Sequence, residues 1–343
     1  MLIATAIAAS LIGVLLQFVV AAQGTVRAQA DVADVQQRLR VAVESLRKDL
    51  LAAGAGPSRG VGSGPLASVF APVLPARTGT SGADAELSYR DDRISIMTVA
   101  DAGPQTSLRL GMASAGAPLV IDGSASGCAA EGACGFSPGD RALVFEPVNA
   151  GGVYDTFTIA ATGPNWVSPV VPLSRPYPRG SRVVEVEQRT YYLDRPGKRL
   201  MAYDGNRSDV PLVDHVVDLR FTYYADASAT SLPLPPAGES NCAYAAGAPP
   251  LPLLQNLGGA GAQPLPPAGL TDGPACGLSP NRFDADLLRV RRIGVTIRVE
   301  TESGEFRGSG PAFFTPGRSG DGYRYSPDMQ VSFDVAPRNM ALR

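Results

Sequence analysis

Few residues of this 343-residue chain have the type and spacing that chemistry demands. The one histidine, His215, stands in a Val-Asp-His-Val-Val strand pattern. It would suffice for a Ser-His-Asp triad but not for a zinc site with redundancy, and no Gly-x-Ser-x-Gly elbow accompanies it, so it reads as an exposed or satisfied strand histidine. No phosphate loop of the Gly-x-x-x-x-Gly-Lys-[Ser/Thr] type occurs. Oxygen ligands for calcium stand at Asp321, within the Gly320-Asp321-Gly322 turn, at Asp328, and at Asp284 with Asp286. Their spacing fits no EF-hand, and Asp-Gly turns are common without metal. The expectation is a protein that is not an enzyme, with no catalytic residue, no metal and no cofactor.

The cysteines carry the remaining covalent chemistry. Cys128, Cys134, Cys242 and Cys276 show no C-x-x-C metal or redox spacing. Cys128 and Cys134 flank a short Ala-Ala-Glu-Gly-Ala loop, whereas Cys242 and Cys276 bracket a Pro/Gly-rich excursion. The simplest pairing is 128 with 134 and 242 with 276, in an oxidising compartment; four reduced thiols in loops are the alternative.

Composition bounds the rest. The chain has 38 Gly and 30 Pro against only 18% charged residues, which favours a body of strands and loops with few further helices. A net charge of -2 and a pI near 5.6 give no basic surface in bulk, so no nucleic-acid partner is expected.

The organising element is the N-terminal stretch. The uncharged run Met1 to Ala22 would span roughly 33 Å as a helix, close to the ~30 Å thickness of bilayer hydrocarbon. Leu2, Ile3, Ile7, Leu11, Ile12, Val14, Leu15, Phe18 and Val19 supply its apolar surface. From Val26 to Leu51 there is no Pro or Gly, and Val35, Leu39, Val43, Leu46 and Leu50 recur at helical spacing with charged residues between them. Gly54, Gly56 and Pro57 supply the stop. One helix of roughly 80 Å is expected, with residues 1–22 apolar all round and residues 23–53 amphipathic. A secretory signal peptide would have a basic region before the apolar core, and none precedes it, although Val20-Ala21-Ala22 resembles a cleavage site. A plain transmembrane anchor and a filament stem are the other two readings.

Residues 54–343 read as one β-rich body with long loops. Strands are expected at Ala85 to Tyr89, paired with Ile94 to Val99 across the Arg90-Asp91-Asp92-Arg93 turn, and at Thr106 to Met112, Leu119 to Asp122, Arg141 to Pro147, Tyr154 to Thr162, Arg182 to Leu193, Leu287 to Glu300 and Asp328 to Val335. Trp166 reads as a loop or core anchor. Residues 226–280, with runs such as Leu-Pro-Leu-Pro-Pro, read as an irregular insertion pinned by the 242 to 276 bridge.

Several of these segments have a familiar look. The apolar run beginning Met1-Leu2-Ile3-Ala4-Thr5-Ala6-Ile7-Ala8 resembles the N-terminal helix of type IV pilins and type II secretion pseudopilins. The stretch from Asp34 to Leu50, followed by the Ala-Ala-Gly that ends at Gly54, is similar to the boundary at which the stem of the minor subunits ends. Arg189 to Asp194 with Lys198-Arg199-Leu200 resembles the strand-turn-strand unit of PilW-like and J-type subunits. Leu212 to Tyr223 resembles their Leu-Val-x-x-Val-x-Asp-Leu-x-Phe-x-Tyr segment, and Arg338 to Arg343 their C-terminal close. The basic leader and Gly-Phe-Thr-Leu-x-Glu signature of that family are not in the sequence, and the expectation is a reading frame that begins upstream of Met1.

The resemblance implies an α+β, pilin-like fold in which a long N-terminal helix packs on an antiparallel β-sheet domain, Val35, Leu39, Val43, Leu46 and Leu50 forming the contact. It implies a minor pilin or pseudopilin in the inner membrane, single-pass with a periplasmic C-terminal domain, which primes or joins a type IV pilus or type II secretion pseudopilus. Its partners would be other minor and major pilins or pseudopilins, the inner-membrane assembly platform and membrane lipid. The rival expectation is a signal-anchored periplasmic binding or adhesive domain with no filament role.

Overall fold

The computed structural model describes residues 2–59, 64–128, 132–147, 152–227, 230–254, 256–258, 261–319 and 326–341, without the side chains of residues 2, 4, 6, 20–22, 24, 25 and 341. The chain opens with helix α1 (Leu2–Ala52). It ends where Gly54 takes φ +80°, a conformation that costs glycine nothing, and the Gly54 N–H donates to the Met97 carbonyl at 3.0 Å. A Cβ at Gly54 would lie 3.1 Å from Pro72 and 3.3 Å from Met340, so the helix end is also a site of close packing.

Among the described residues three larger antiparallel sheets form most of the body, with two two-stranded sheets beside them, Tyr244–Ala245 with Leu251–Pro252 and Ala275–Cys276 with Phe283–Asp284. The first runs, in spatial order, Val73–Leu74, Arg93–Thr98, Glu187–Asp194, Arg199–Tyr203 and Asp209–Asp214. The second runs Gln105–Ser107, Arg182–Glu185, Arg141–Phe145, Tyr154–Gly163, Trp166–Pro169 and Leu119–Val120. The third runs Ala262–Pro264, Val216–Asp226, Val290–Val299 and Met329–Val335.

The expected α+β class, a long helix laid on one antiparallel sheet, is corrected: the molecule is mostly antiparallel β, and its sheets are curled. Arg141–Phe145 shows the reason. Its alternate residues enter different cores, Leu143 and Phe145 the principal one and Ala142 and Val144 a second one with Phe157, Ile159 and Tyr177. Val184 and Val183 of the neighbouring strand divide in the same way. A strand buried on both faces needs a layer on each side, and here other strands and loops supply most of those layers. Helix α1 adds only its C-terminal face to the principal core.

The third sheet shows the alternation that a half-buried strand requires. Ile293, Val295, Ile297 and Val299 are buried, and Tyr223, Phe221 and Leu219 stand opposite the first three. Outward-facing Thr296 and Ser332 meet across the sheet at 2.9 Å.

Several expected elements shift. Ala85 to Tyr89 is not a strand; Arg93–Thr98 pairs instead with Val73–Leu74 and Glu187–Asp194. Arg182 to Leu193 divides at Val186, where the chain leaves the second sheet for the first. Thr106 to Met112 contracts to Gln105–Ser107, and Leu119 to Asp122 to Leu119–Val120. Leu287 and Leu288 belong to the 3-10 turn Ala285–Arg289, and the strand begins at Val290. Among the described residues, 227–280 hold only short strands and a short 3-10 turn, and one of the strands, Ala262–Pro264, pairs with Val216–Asp226. Trp166 opens a strand, and its ring lies so close over Gly163 that any Cβ there would collide with it.

Candidate functional site

Helix α1 has two unlike surfaces. Along its N-terminal half Ile3, Ile7, Leu11, Ile12, Val14, Leu15, Phe18 and Val19 are exposed, Ile3 at 79% and Phe18 at 75%. The Leu2 side chain lies outside the described residues. Among the described residues, no helix is long and apolar enough to cross a membrane.

In the C-terminal half the pattern reverses. Val35, Leu39, Ala42, Leu46 and Leu50 are buried in the principal core, and Val43 is half-buried against it. Spacings of three and four residues bring these side chains to one face, so one stripe is withdrawn from water while Arg40 and Glu44 stay in it, 3.5 Å apart.

Polar contacts fix the helix at two levels. Near its end, Asp49 Oδ2 accepts from the Tyr191 hydroxyl at 2.7 Å and from Arg189 Nη1 at 3.0 Å. Burial pushes the Tyr191 hydroxyl well above the ordinary phenol range, and the Asp49 carboxylate adds to the shift. Lower down, Arg38 lies 2.7 Å from Asp34 and 3.6 Å from Glu302 of the body. Burial, with Asp34 and Glu302 nearby, raises the pKa of Asp31. The sequence pattern places Asp49 and Arg38 on the helix's polar side; their role as docking groups shows only once Tyr191, Arg189 and Glu302 are brought beside them.

The other residues singled out by type are placed as follows. Cys128 is bonded to Cys134, and Cys242 to Cys276. His215 is not within a strand: it has φ +60° in the bend between Asp209–Asp214 and Val216–Asp226, and its carbonyl accepts from the Glu300 N–H at 2.9 Å. It is the pivot at which the chain passes from the first sheet to the third. The Asp328 side chain is buried, its Oδ2 accepting from Arg298 Nε at 2.9 Å and the Phe314 N–H at 2.6 Å. Asp321 and the turn around it lie outside the described residues. Asp284 and Asp286, with Asp272, bring one carboxylate oxygen each within 4.8 Å of one another. Asp284 is engaged by the N–H groups of Gly273 and Asp286, and Asp286 is paired with buried Arg289 at 2.7 Å.

No family model, no curated protein and no solved structure matches the chain.

Proposed function

We propose that the chain is a minor pilin or pseudopilin subunit, held in the inner membrane by residues 1–22 and joining other pilins or pseudopilins in a type IV pilus or type II secretion pseudopilus. The observation that supports this reading is the division of α1, whose N-terminal half exposes apolar side chains from Ile3 to Val19 while its C-terminal half is locked into the body. A continuous apolar helical surface of that length demands cover. Lipid covers it before assembly and neighbouring stems cover it afterwards, and the exchange costs little because both surroundings are similarly apolar. The body then presents its surface to neighbouring subunits, with no bond made or broken.

The test is Val14→Asp, introduced in cells that carry the assembly machinery. A carboxylate in that stretch costs about 3 kcal/mol in a membrane-like setting, so the variant should disappear from sheared surface filaments while non-reducing gels still show both disulfides. Recovery of the unaltered chain in the soluble periplasmic fraction, or equal entry of Val14→Asp into filaments, would overturn the reading.

A further inference from the structure

A cavity of about 770 Å³ lies between the strands Arg141–Phe145 and Tyr154–Gly163, the segment from Leu74 to Ser88 and the turn from Pro280 to Asp284. Its size is that of a small-molecule site. Much of its wall is apolar, including Met97, Phe157 and Leu173, and the exposed Val170 and Val171 stand at its mouth.

The arginines of the wall distinguish it from a packing defect. Arg141 Nη2 donates to Thr156 Oγ1 at 3.0 Å and to Gln188 Oε1 at 2.8 Å. Its Nε is buried and has no hydrogen-bond partner among the described residues. No carboxylate of those residues lies within ion-pair distance of its guanidinium, and Asp204 acts on it only through its longer-range charge. Burial accordingly lowers the Arg141 pKa. Arg207 and Arg282, exposed on the same wall, are likewise without an ion pair among the described residues.

The wall's carboxylates do not answer these charges. Asp84 is paired with Arg93 at 3.1 Å, and Glu86 accepts from Ser279. Asp155 receives Ser174, Tyr177 and Asn281, and Asp284 accepts from the Gly273 and Asp286 N–H groups. Each acid is engaged locally, and none of them forms an ion pair with Arg141, Arg207 or Arg282. A guanidinium withdrawn from water without a counter-ion favours an anion with a planar pair of oxygens, and the apolar wall favours a ligand with little other polarity.

We propose that this cavity binds small apolar carboxylates, with Arg141 as the anion contact and Val170 and Val171 at the entrance. The site does not depend on the filament reading, since it belongs wholly to the body.

The experiment is calorimetric titration of the full chain, held in nanodiscs, with 2-naphthoate and with the neutral 2-naphthamide. The carboxylate should bind at least about tenfold more tightly than the amide, a difference of about 1.4 kcal/mol. Arg141→Gln should abolish that preference. Because Arg141 also bridges two sheets, Val171→Trp provides a second variant at an exposed position, and filling the mouth should weaken both ligands. Equal binding of carboxylate and amide, no binding of either, or unchanged binding to Val171→Trp would overturn the proposal.

Discussion

The hydroxyl of Tyr191, on a central strand of the first sheet, donates to the carboxylate of Asp49 on α1 at 2.7 Å. This contact spans 142 positions of sequence and ties the last turns of the helix to the body. Tyr191→Phe keeps the ring and removes the donor. Arg189 still reaches Asp49, so the loss should be about 1.5 kcal/mol, in the range for a hydrogen bond to a charged group. Denaturant unfolding gives the number. A double-mutant cycle with Asp49→Ala should return a coupling of the same sign, and additive effects of the two changes would show that the contact contributes nothing.

The stripe of α1 makes a sharper contrast. Leu46 is fully buried, whereas Val41 on the same helix is 39% exposed. Leu46→Ala should cost about 2–5 kcal/mol through lost burial and the cavity left behind. Val41→Ala should stay within about 0.5 kcal/mol. Circular dichroism melts of the full chain in detergent separate the two, and equal costs would contradict the burial seen along this face.

Legibility in the sequence followed the range of the interactions. The C-terminal half of helix α1 declared itself through spacing alone, because a run without Pro or Gly from Val26 to Leu51 and a stripe at helical period are local signals. So did Val290–Val299, whose buried residues alternate with Arg and Thr. The layering of the body was harder to see, since Ala142-Leu143-Val144-Phe145 reads as one apolar run and nothing local says that its two faces serve two cores. His215 was misplaced for a related reason: strand-forming valines surround it, and only the turn from one sheet into another demands its positive φ. Arg141 carried no signal at all. Its importance comes from the absence of a nearby acid, which depends on residues distant in sequence.

The cysteine pairing leads to a comparison of two loops. Cys242 and Cys276 are separated by 34 positions and Cys128 and Cys134 by 6. On the chain-entropy account the longer closure contributes about 4 kcal/mol and the shorter about 2 kcal/mol. Cys242→Ala with Cys276→Ala should therefore lower the denaturant midpoint more than Cys128→Ala with Cys134→Ala. Cys276 and Cys134 are both fully buried, so each double variant carries a packing cost and the loop length sets the difference. The reverse order would show that closing the Pro-rich segment does not govern stability.

Asp284 sets an expectation for pH. Its carboxyl group is 1% exposed, with Oδ2 accepting from the Gly273 N–H at 2.6 Å and Oδ1 from the Asp286 N–H at 2.9 Å. Burial pushes its pKa up to about 6, and the charges of Asp286 and Asp272 act in the same direction against the two N–H groups. In the unfolded chain an aspartate titrates near ~3.9. The folded state thus holds the proton more tightly, so its contribution to stability is greatest below about pH 4, falls as pH rises towards 6 and levels off above it. The fall should be about 2–3 kcal/mol. Asp155, Asp328 and Glu185 are also raised by burial, so the informative quantity is the difference between the native chain and Asp284→Asn across about pH 3.5 to 7.5. The amide loses stability at every pH, because its NH₂ must face one of the two N–H donors. Its deficit should be largest in acid and should narrow as Asp284 ionises in the native chain, whereas a constant deficit would mean that Asp284 titrates as it does in the unfolded chain.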